Sequence, residues 1–196
     1  LNVQSCDPQA PEWQPYQGLH GSKDVIHPEA GPCFICEGRY LVEEALKAAR
    51  DGSLQILSVL TTPRSTHEFE GRLPAGAALL VAEEALLEQF LGFAFHRGVL
   101  CCVKRPSDPP GERILAARHL VVLPRLDNVD NLGQILRTAA ALGMDAVLMD
   151  RGPGPFERRT VRVSMGAAWR IPVLQTRELE DWLERWRQFA PGEVVG

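Results

Sequence analysis

Asn131, Gly133 and Arg137 are the residues whose types and spacing best suit chemistry in this sequence. Around them Leu132, Ile135, Leu136, Ala139, Ala140 and Leu142 recur at helical spacing, so a helix is expected to start near Asn131. Asn131 is a good N-cap by residue type. Gly133 lets a ligand or another backbone come close. Arg137 lies six residues beyond Asn131, nearly two turns, with a side chain that can lean back towards the helix start. A helix N-terminus offers unpaired N–H groups and a partial positive charge. An asparagine, a glycine and an arginine gathered there suit a phosphate or a ribose. They also read as a capped helix with one surface arginine, and spacing alone does not separate the two.

The flanking elements would position that helix. Leu120-Val121-Val122-Leu123 reads as a buried parallel strand, followed by a polar turn from Pro124 to Asp130. Gly143 stops the helix, and Ala146-Val147-Leu148-Met149 reads as a second buried strand. The expectation is a β-α-β unit, a connection that is almost always right-handed.

The run Asn131-Leu132-Gly133-Gln134-Ile135-Leu136-Arg137-Thr138-Ala139 between those strands resembles the first motif of the SpoU/TrmH family, RNA ribose 2'-O-methyltransferases of the SPOUT class. Ser164-Met165-Gly166-Ala167 before Ile171-Pro172-Val173 resembles the family's Ser-x-Gly-Ala segment. In the N-terminal half, Glu37-Gly38 with Leu41-Val42-Glu43-Glu44-Ala45-Leu46, and His96-Arg97-Gly98-Val99, resemble the small RNA-binding domain that many members carry. The likeness covers roughly Phe34 to Gly196. Val129 departs from it, since many members have proline there. Two further family motifs, a Gly-x-Glu-x-x-Gly loop and a Ser-Leu-Asn-Val segment, have no counterpart downstream. They form the family's trefoil knot and most of its S-adenosylmethionine pocket. Val194-Val195-Gly196 reads as the start of the next strand, so the chain looks like a member cut off before its cofactor site. Leu1-Asn2-Val3 echoes the last motif, with nothing around it that fits.

The resemblance implies methyl transfer from S-adenosylmethionine to a ribose 2'-hydroxyl of tRNA or rRNA. For that reaction Arg137 and Asn131 are the candidate catalytic residues, and Arg158, Arg159, Arg162, Gly133 and Ser164 the candidate RNA contacts. The resemblance also implies a homodimer through the methyltransferase domain, with no metal. The rival reading is an RNA-binding module without catalysis. A nucleotide-binding oxidoreductase would need a G-x-G-x-x-G after its first strand, which is absent.

Composition constrains these readings. A net charge of −4 argues against a protein that coats nucleic acid generally. The charge is uneven, however. Residues 1–96 hold 6 Lys/Arg against 13 Asp/Glu, and residues 97–170 hold 12 against 7, including the Arg158/Arg159/Arg162 cluster. A local basic face on an acidic protein suits selective RNA contact, although the cluster also reads as a solvated helix face. Five cysteines are an odd number for a disulfide framework. Cys33-Phe34-Ile35-Cys36 lacks two further ligands at zinc spacing, and reduced, buried thiols are expected. No signal-peptide pattern and no membrane-spanning apolar run occur, so a cytoplasmic setting is expected.

In chain order, residues 1–31 are proline-rich and read as an extended leader in which no regular element is expected, with Trp13 and Tyr16 able to pin it. Residues 32–104 alternate strands and helices, predicting a small α/β/α sandwich, which resembles the family's L30e-like RNA-binding domain. Within it a helix is expected from Gly38 to Arg50 with Glu43 and Lys47 paired, besides a strand at Leu54–Leu60 and a turn at Pro63–Glu70. Residues 105–118 form a proline-rich linker ending in a short helical turn. By the same resemblance, residues 119–196 are expected to form the N-terminal part of a SPOUT-type parallel-sheet domain, lacking its knot segment. There a helix is expected from Phe156 to Ala168 and a strand at Ile171–Leu174. Thr176 is expected to cap a last helix with Leu179, Trp182, Leu183 and Trp186 as its core stripe.

Overall fold

Apolar runs in the first half of the chain become the central strands of a mixed sheet in the computed structural model, which describes residues 3–5, 7–19 and 25–189. Its strands are β1 (Val3–Ser5), β2 (Val25–His27), β3 (Gly31–Glu37), β4 (Ile56–Thr61), β5 (Ala78–Val81) and β6 (Val99–Lys104), in the order β1-β5-β4-β6-β3-β2. β5 pairs parallel with β1 and β4, and the other neighbours are antiparallel. Helix α1 (Arg39–Arg50) lies against β3, β4 and β6, burying Leu41, Val42, Ala45 and Leu46. Helix α2 (Glu84–Leu91) buries Leu87 and Leu91 with Leu60, Leu80 and Phe95. Period-two alternation explains how one strand serves two cores. Cys33 and Ile35 join that second cluster, and Phe34 and Cys36 are buried on the opposite side.

The leader corrects the expectation that prolines would exclude regular structure. β1 and β2 form the two edges of the sheet, and residues Gln14–Tyr16 make a 3-10 turn. Pro8, Pro11 and Pro28 fall between these pieces and Pro15 sits within the 3-10 turn, so no ladder bond is lost to them. Trp13 and Tyr16 are fully buried. The register of β4 shifts between Ile56 and Ser58. There the Cys102 N–H donates to the Tyr16 hydroxyl at 2.9 Å, and that hydroxyl donates to the Ser58 carbonyl at 3.0 Å. Burial pushes the Tyr16 phenol well above its ordinary pKa, so it stays protonated and able to donate.

Two charge details differ from expectation. Lys47 pairs with Glu44 at 2.7 Å, not with Glu43. Glu43 instead accepts hydrogen bonds from the two terminal guanidinium nitrogens of Arg72, at 2.6 and 2.9 Å, a bidentate geometry that an exposed lysine cannot match. Cys33, Cys36, Cys101 and Cys102 are free and buried. Burial pushes the Cys36 and Cys101 thiols well above their usual range, and they pack as small neutral side chains.

The chain divides into two compact units. The first runs to Arg105 and takes in Phe156–Arg158, and the second holds Pro106–Pro155 and the chain from Arg159 onward. In the second unit a parallel sheet has the order β7-β8-β9, with β7 (Leu120–Arg125), β8 (Ala146–Arg151) and β9 (Val173–Gln175). Helix α3 (Gly111–Leu115) lies in the stretch read as a linker, and it brings Ile114 into the core with Ala117, Ala146 and Leu148. Helices α4 (Val129–Ala141), α5 (Arg158–Val163) and α6 (Leu179–Phe189) follow. Leu179, Trp182 and Leu183 pack on that core, and the Trp186 indole N–H donates to the Ala117 carbonyl at 2.7 Å. β7 is half-buried rather than buried, because it is an edge strand. The helix expected over 156–168 stops at Val163: Met165 and Gly166 adopt positive φ of 53° and 86°, and Ala167–Trp169 resume as a 3-10 turn. Thr176 precedes α6 by a turn, its hydroxyl accepting from the Glu178 N–H at 3.1 Å. The strand start expected at Val194–Gly196 lies outside the described residues.

Tyr16→Phe keeps the ring and leaves the Cys102 N–H unmet in a dry core. Denaturant unfolding of that variant is expected to show a loss of about 1–3 kcal/mol. Wild-type stability would mean that the leader is not part of this core.

Candidate active site

The polar turn after β7 puts the residues of interest on α4. The helix starts at Val129, one short step earlier than the sequence suggests, and its N-cap is Asn128. The Asn128 Oδ1 accepts from the Asp130 N–H at 2.8 Å and the Asn131 N–H at 3.2 Å. Asn131 is therefore not the cap but lies in the first turn, with its side chain exposed. The run Asp127-Asn128-Val129-Asp130-Asn131 contains two Asp-Asn pairs, and either asparagine satisfies the capping preference by type. Val129, half-buried at the first helical position, is the signal that favours the earlier one.

Asn131, Gln134, Arg137 and Thr138 are exposed, whereas Leu132, Gly133, Leu136 and Ala139 are buried. At 100° and 1.5 Å per residue, Asn131 and Arg137 are about 120° and about 9 Å apart on the helix, with Gln134 between them. They share one broad exposed face rather than one stripe. Among the described residues Arg137 has no ion-pair or hydrogen-bond partner.

Gly133 is where α4 meets the segment after α5. A Cβ there would stand 2.6 Å from Val163 Cβ and 3.2 Å from Ser164 N. The close approach anticipated at this glycine is made by the chain itself. Ser164 is also buried, its hydroxyl donating to the Val161 carbonyl at 3.0 Å and accepting from the Ala168 N–H at 3.4 Å. Neither Gly133 nor Ser164, both expected among RNA contacts, presents a surface in this chain. They fix the α4–α5 packing.

The arginine cluster divides. Arg159 grips Asp130 through two nitrogens on two oxygens, at 2.5 and 2.6 Å. This contact, first through its hydrogen bonds and then through charge, holds the Asp130 carboxyl below its usual range, with Arg162 adding to it. Asp130 also sits in the first helical turn, where a negative charge is favoured. Arg158, within the first unit, is bound to the buried Glu37 at 3.0 Å and lies over the Phe93 ring at 4.4 Å. Arg162 is half-exposed. Asp130 as partner of Arg159 was not anticipated from sequence, because 29 residues separate them.

The rim at the carboxyl ends of the three parallel strands is where open α/β sheets place ligands. Here the strand ends are bonded to one another. The Leu126 N–H donates to the Arg151 carbonyl at 3.2 Å, and Gln175 Nε2 donates to the Gly152 carbonyl at 3.2 Å. Gly152 has φ of 149° and lies against the Leu126 carbonyl, so a side chain there would collide. Arg125 pairs with Asp127 at 3.1 Å on the exposed side.

Comparison with known proteins bears on what this arrangement does. Residues 118–190 match the profile described as the SpoU rRNA Methylase family. A protein named as an uncharacterized tRNA/rRNA methyltransferase from Mycobacterium bovis is 32% identical over 186 residues, covering 93% of this chain and 62% of that protein. The 23S rRNA (guanosine(2553)-2'-O)-methyltransferase RlmP of Bacillus subtilis is 28% identical over 152 residues, covering 77% of this chain and 57% of that protein. The chain thus spans about three-fifths of the length of these curated relatives. Among solved structures, an AdoMet-bound rRNA methyltransferase from Sinorhizobium meliloti superposes with a TM-score of 0.71 at 22% identity, over 96% of this chain and 69% of that one. The SpoU methyltransferase AviRb from Streptomyces viridochromogenes, in complex with AdoMet, gives 0.68 at 20% identity, over 92% and 69%. These two likenesses establish a shared fold.

Two measurements test the geometry. Gly133→Ala is expected to lower stability by about 1–3 kcal/mol in denaturant unfolding, because the added methyl has no room beside Val163; a neutral effect would mean that the two segments part easily. The depressed Asp130 pKa contributes stability above the carboxylate's unfolded-state value, and that contribution is lost as pH falls through the folded-state value. Asp130→Asn should therefore flatten the fall in stability between neutral and strongly acidic pH, and identical acid limbs in variant and wild type would contradict the ion pair.

Proposed function

From the likeness of residues 118–190 to the SpoU rRNA Methylase family and of the chain to its named relatives, we propose that the chain belongs to that family and forms part of an S-adenosylmethionine-dependent methyltransferase acting on a ribose 2'-hydroxyl of tRNA or rRNA. The observation that carries the reading is the exposed face of α4 inside the matched segment 118–190, where Arg137 stands uncommitted among the described residues. The activity named for the relatives disfavours an RNA-binding module without catalysis.

A ribose hydroxyl is a weak nucleophile near neutral pH, so negative charge developing on its oxygen has to be met. Arg137 is the residue we assign to that task. A guanidinium carries five donors and no acceptor, which suits it to gripping the adjacent phosphate and stabilising an oxyanion rather than removing a proton. Asn131, across the same exposed face, supplies a carbonyl and an amide to orient the ribose. Gln134 lies between them and bounds the same surface. Holding hydroxyl and phosphate in one geometry is itself a large share of such catalysis.

The methyl donor is assigned from the named activity of the relatives. Leu126, Gly152 and Gln175 bond the strand ends to one another at the rim of the sheet, and we assign no adenosine contact to them. No step is therefore derived through it. We assign the first unit as an L30e-like domain that holds RNA, and residues 119–196 as the N-terminal part of a SPOUT domain completed by its knot segment. A homodimer in the cytoplasm is the assembly we expect. Among the RNA contacts we retain Arg162, and we assign Arg158 and Arg159 a positioning role through Glu37 and Asp130. Gly133 and Ser164 would shape the RNA surface from beneath. No described helix is long and apolar enough to cross a membrane.

In a chain extended to the length of its relatives, Arg137→Ala is expected to abolish transfer of labelled methyl groups to ribosomal or transfer RNA by at least a hundredfold while the thermal unfolding midpoint holds. Full activity in that variant would sink the assignment. Arg162→Gln should weaken RNA binding and lower the slope of log affinity against log salt by about 0.7 for a single-stranded site; an unchanged slope removes Arg162 from the RNA surface.

A further inference from the structure

Arg158 and Arg159 are the first two residues of α5, and each is held by a different carboxylate. Successive residues leave a helix about 100° apart, so the two guanidinium groups point in different directions from one short stretch of backbone. Arg158 donates to Glu37 Oε2 at 3.0 Å, within the first unit. Arg159, one peptide bond later, grips Asp130 at the start of α4, within the second.

The hold on Arg158 has several parts. Glu37 closes β3, and its side chain is only 8% exposed. Its two oxygens meet two arginines, Oε1 the Arg97 Nε at 3.1 Å and Oε2 the Arg158 Nη1. The Arg158 guanidinium also lies over the Phe93 ring at 4.4 Å. Two residues earlier, the Phe156 ring packs on the fully buried Phe34 with centroids 5.0 Å apart, and Arg105 lies over it at 5.3 Å. A segment held at one end by stacked rings and at the other by a buried carboxylate tolerates little displacement, because that carboxylate is costly to leave short of a partner. The far end of α5 is fixed as closely, by Val163 against Gly133. A six-residue helix clamped at both ends gives Arg159 one place to stand. Its two bonds to Asp130 then fix the residue that precedes Asn131 in the first turn of α4.

We propose that Phe156–Arg158 is a clasp, and that Glu37, Arg158 and Arg159 are positioning residues that hold the first turn of α4, and with it Asn131, in the geometry methyl transfer needs. The proposal rests on the reading of α4 as the reactive surface. It goes beyond that reading by giving a residue of the first unit, Glu37, a part in setting that surface without touching RNA or methyl donor.

Arg158→Gln tests it, since Glu37 keeps Arg97 as a partner in that variant. The Asp130 and Asn131 N–H groups bond to Asn128, and their hydrogen exchange reports on the first turn of α4. In the 196-residue chain, Arg158→Gln is expected to speed exchange at these two amides roughly fivefold while exchange in α6 is unchanged. Glu37→Gln should do the same, and it serves if the first variant does not fold. Wild-type exchange at the two amides would deny the coupling and overturn the clasp. An equal acceleration in α6 would overturn it as well, by making Arg158 a general stabiliser. In a chain extended to the length of its relatives, Arg158→Gln is expected to lower kcat roughly tenfold with KM for RNA within about twofold of wild type. A raised KM at unchanged kcat would place Arg158 on the RNA and overturn the positioning role. If the extended wild-type protein transfers no methyl group, the methyltransferase reading fails, and the exchange measurement alone decides the clasp.

Discussion

Much of the second unit depends on the absence of a side chain at Gly133. Without a Cβ there, α4 approaches Val163 and the Ser164 backbone at a distance no other residue allows. That approach brings Arg159, at the start of α5, within reach of Asp130 at the start of α4. It also requires the chain after α5 to turn away at once. Met165 and Gly166 do so in the left-handed region, and the Gly166 backbone lies under the Trp169 ring, where a Cβ would be 2.6 Å from Cζ2. Ser164, buried beside this turn, bonds to the backbone on both sides of it. The Gly and the Ser-x-Gly-Ala that look like separate motifs in the sequence are thus two sides of one packed joint.

That joint explains which parts of the site could be read from the residues and which could not. The hydrophobic period around Leu132, Leu136 and Ala139 located α4, because packing on one face leaves a 3.6-residue trace. Its first residue was misplaced, because Asn128 and Asn131 are equivalent by type and only the burial of neighbouring side chains separates them. The break after Val163 left no clear trace either. Val161, Val163, Ala167 and Ala168 suit a helix well enough, and one glycine is a weak stop when the force that bends the chain comes from Trp169 and Gly133. The leader misled for a similar reason. Proline content describes what a segment cannot do alone, but edge strands of three residues need only a neighbour with open hydrogen bonds. Tyr16 was legible as an anchor, whereas the irregularity in β4 that it serves was not, since a register shift depends on pairing far along the chain.

The charges follow the same logic. Residues 97–170 are basic by count, yet the arginines that make them so are largely spoken for. Arg159 is held by Asp130, Arg125 by Asp127, and Arg158 by Glu37 within the first unit. Most of these pairs are exposed enough that each contributes little to stability, so their consequence is orientation. An arginine whose fork is fixed by a carboxylate presents its remaining donors in one direction, and a phosphate meeting it loses less entropy on binding.

Arg137 differs from all of these. It stands on the exposed side of a helix whose other side is fully committed to the core, and it pairs with no described residue. A structural arginine at such a position would gain most from a nearby acid at i−4 or i−3. Gln134 occupies the i−3 position and Gly133 the i−4 position. Both are neutral, so the guanidinium keeps its full charge and all its donors for something outside the chain. A positioned but unneutralised cation is costly to keep for stability alone and useful for an anion that arrives later. The same neutrality makes Gln134 informative. Replacing it with glutamate would supply the missing partner without touching core packing, and Gln134→Glu in the extended protein is expected to cut methyl transfer by roughly tenfold while leaving the unfolding midpoint unchanged or slightly raised. Activity equal to wild type would show that Arg137 does not need its charge free, and that an explanation of the site by electrostatics is misplaced.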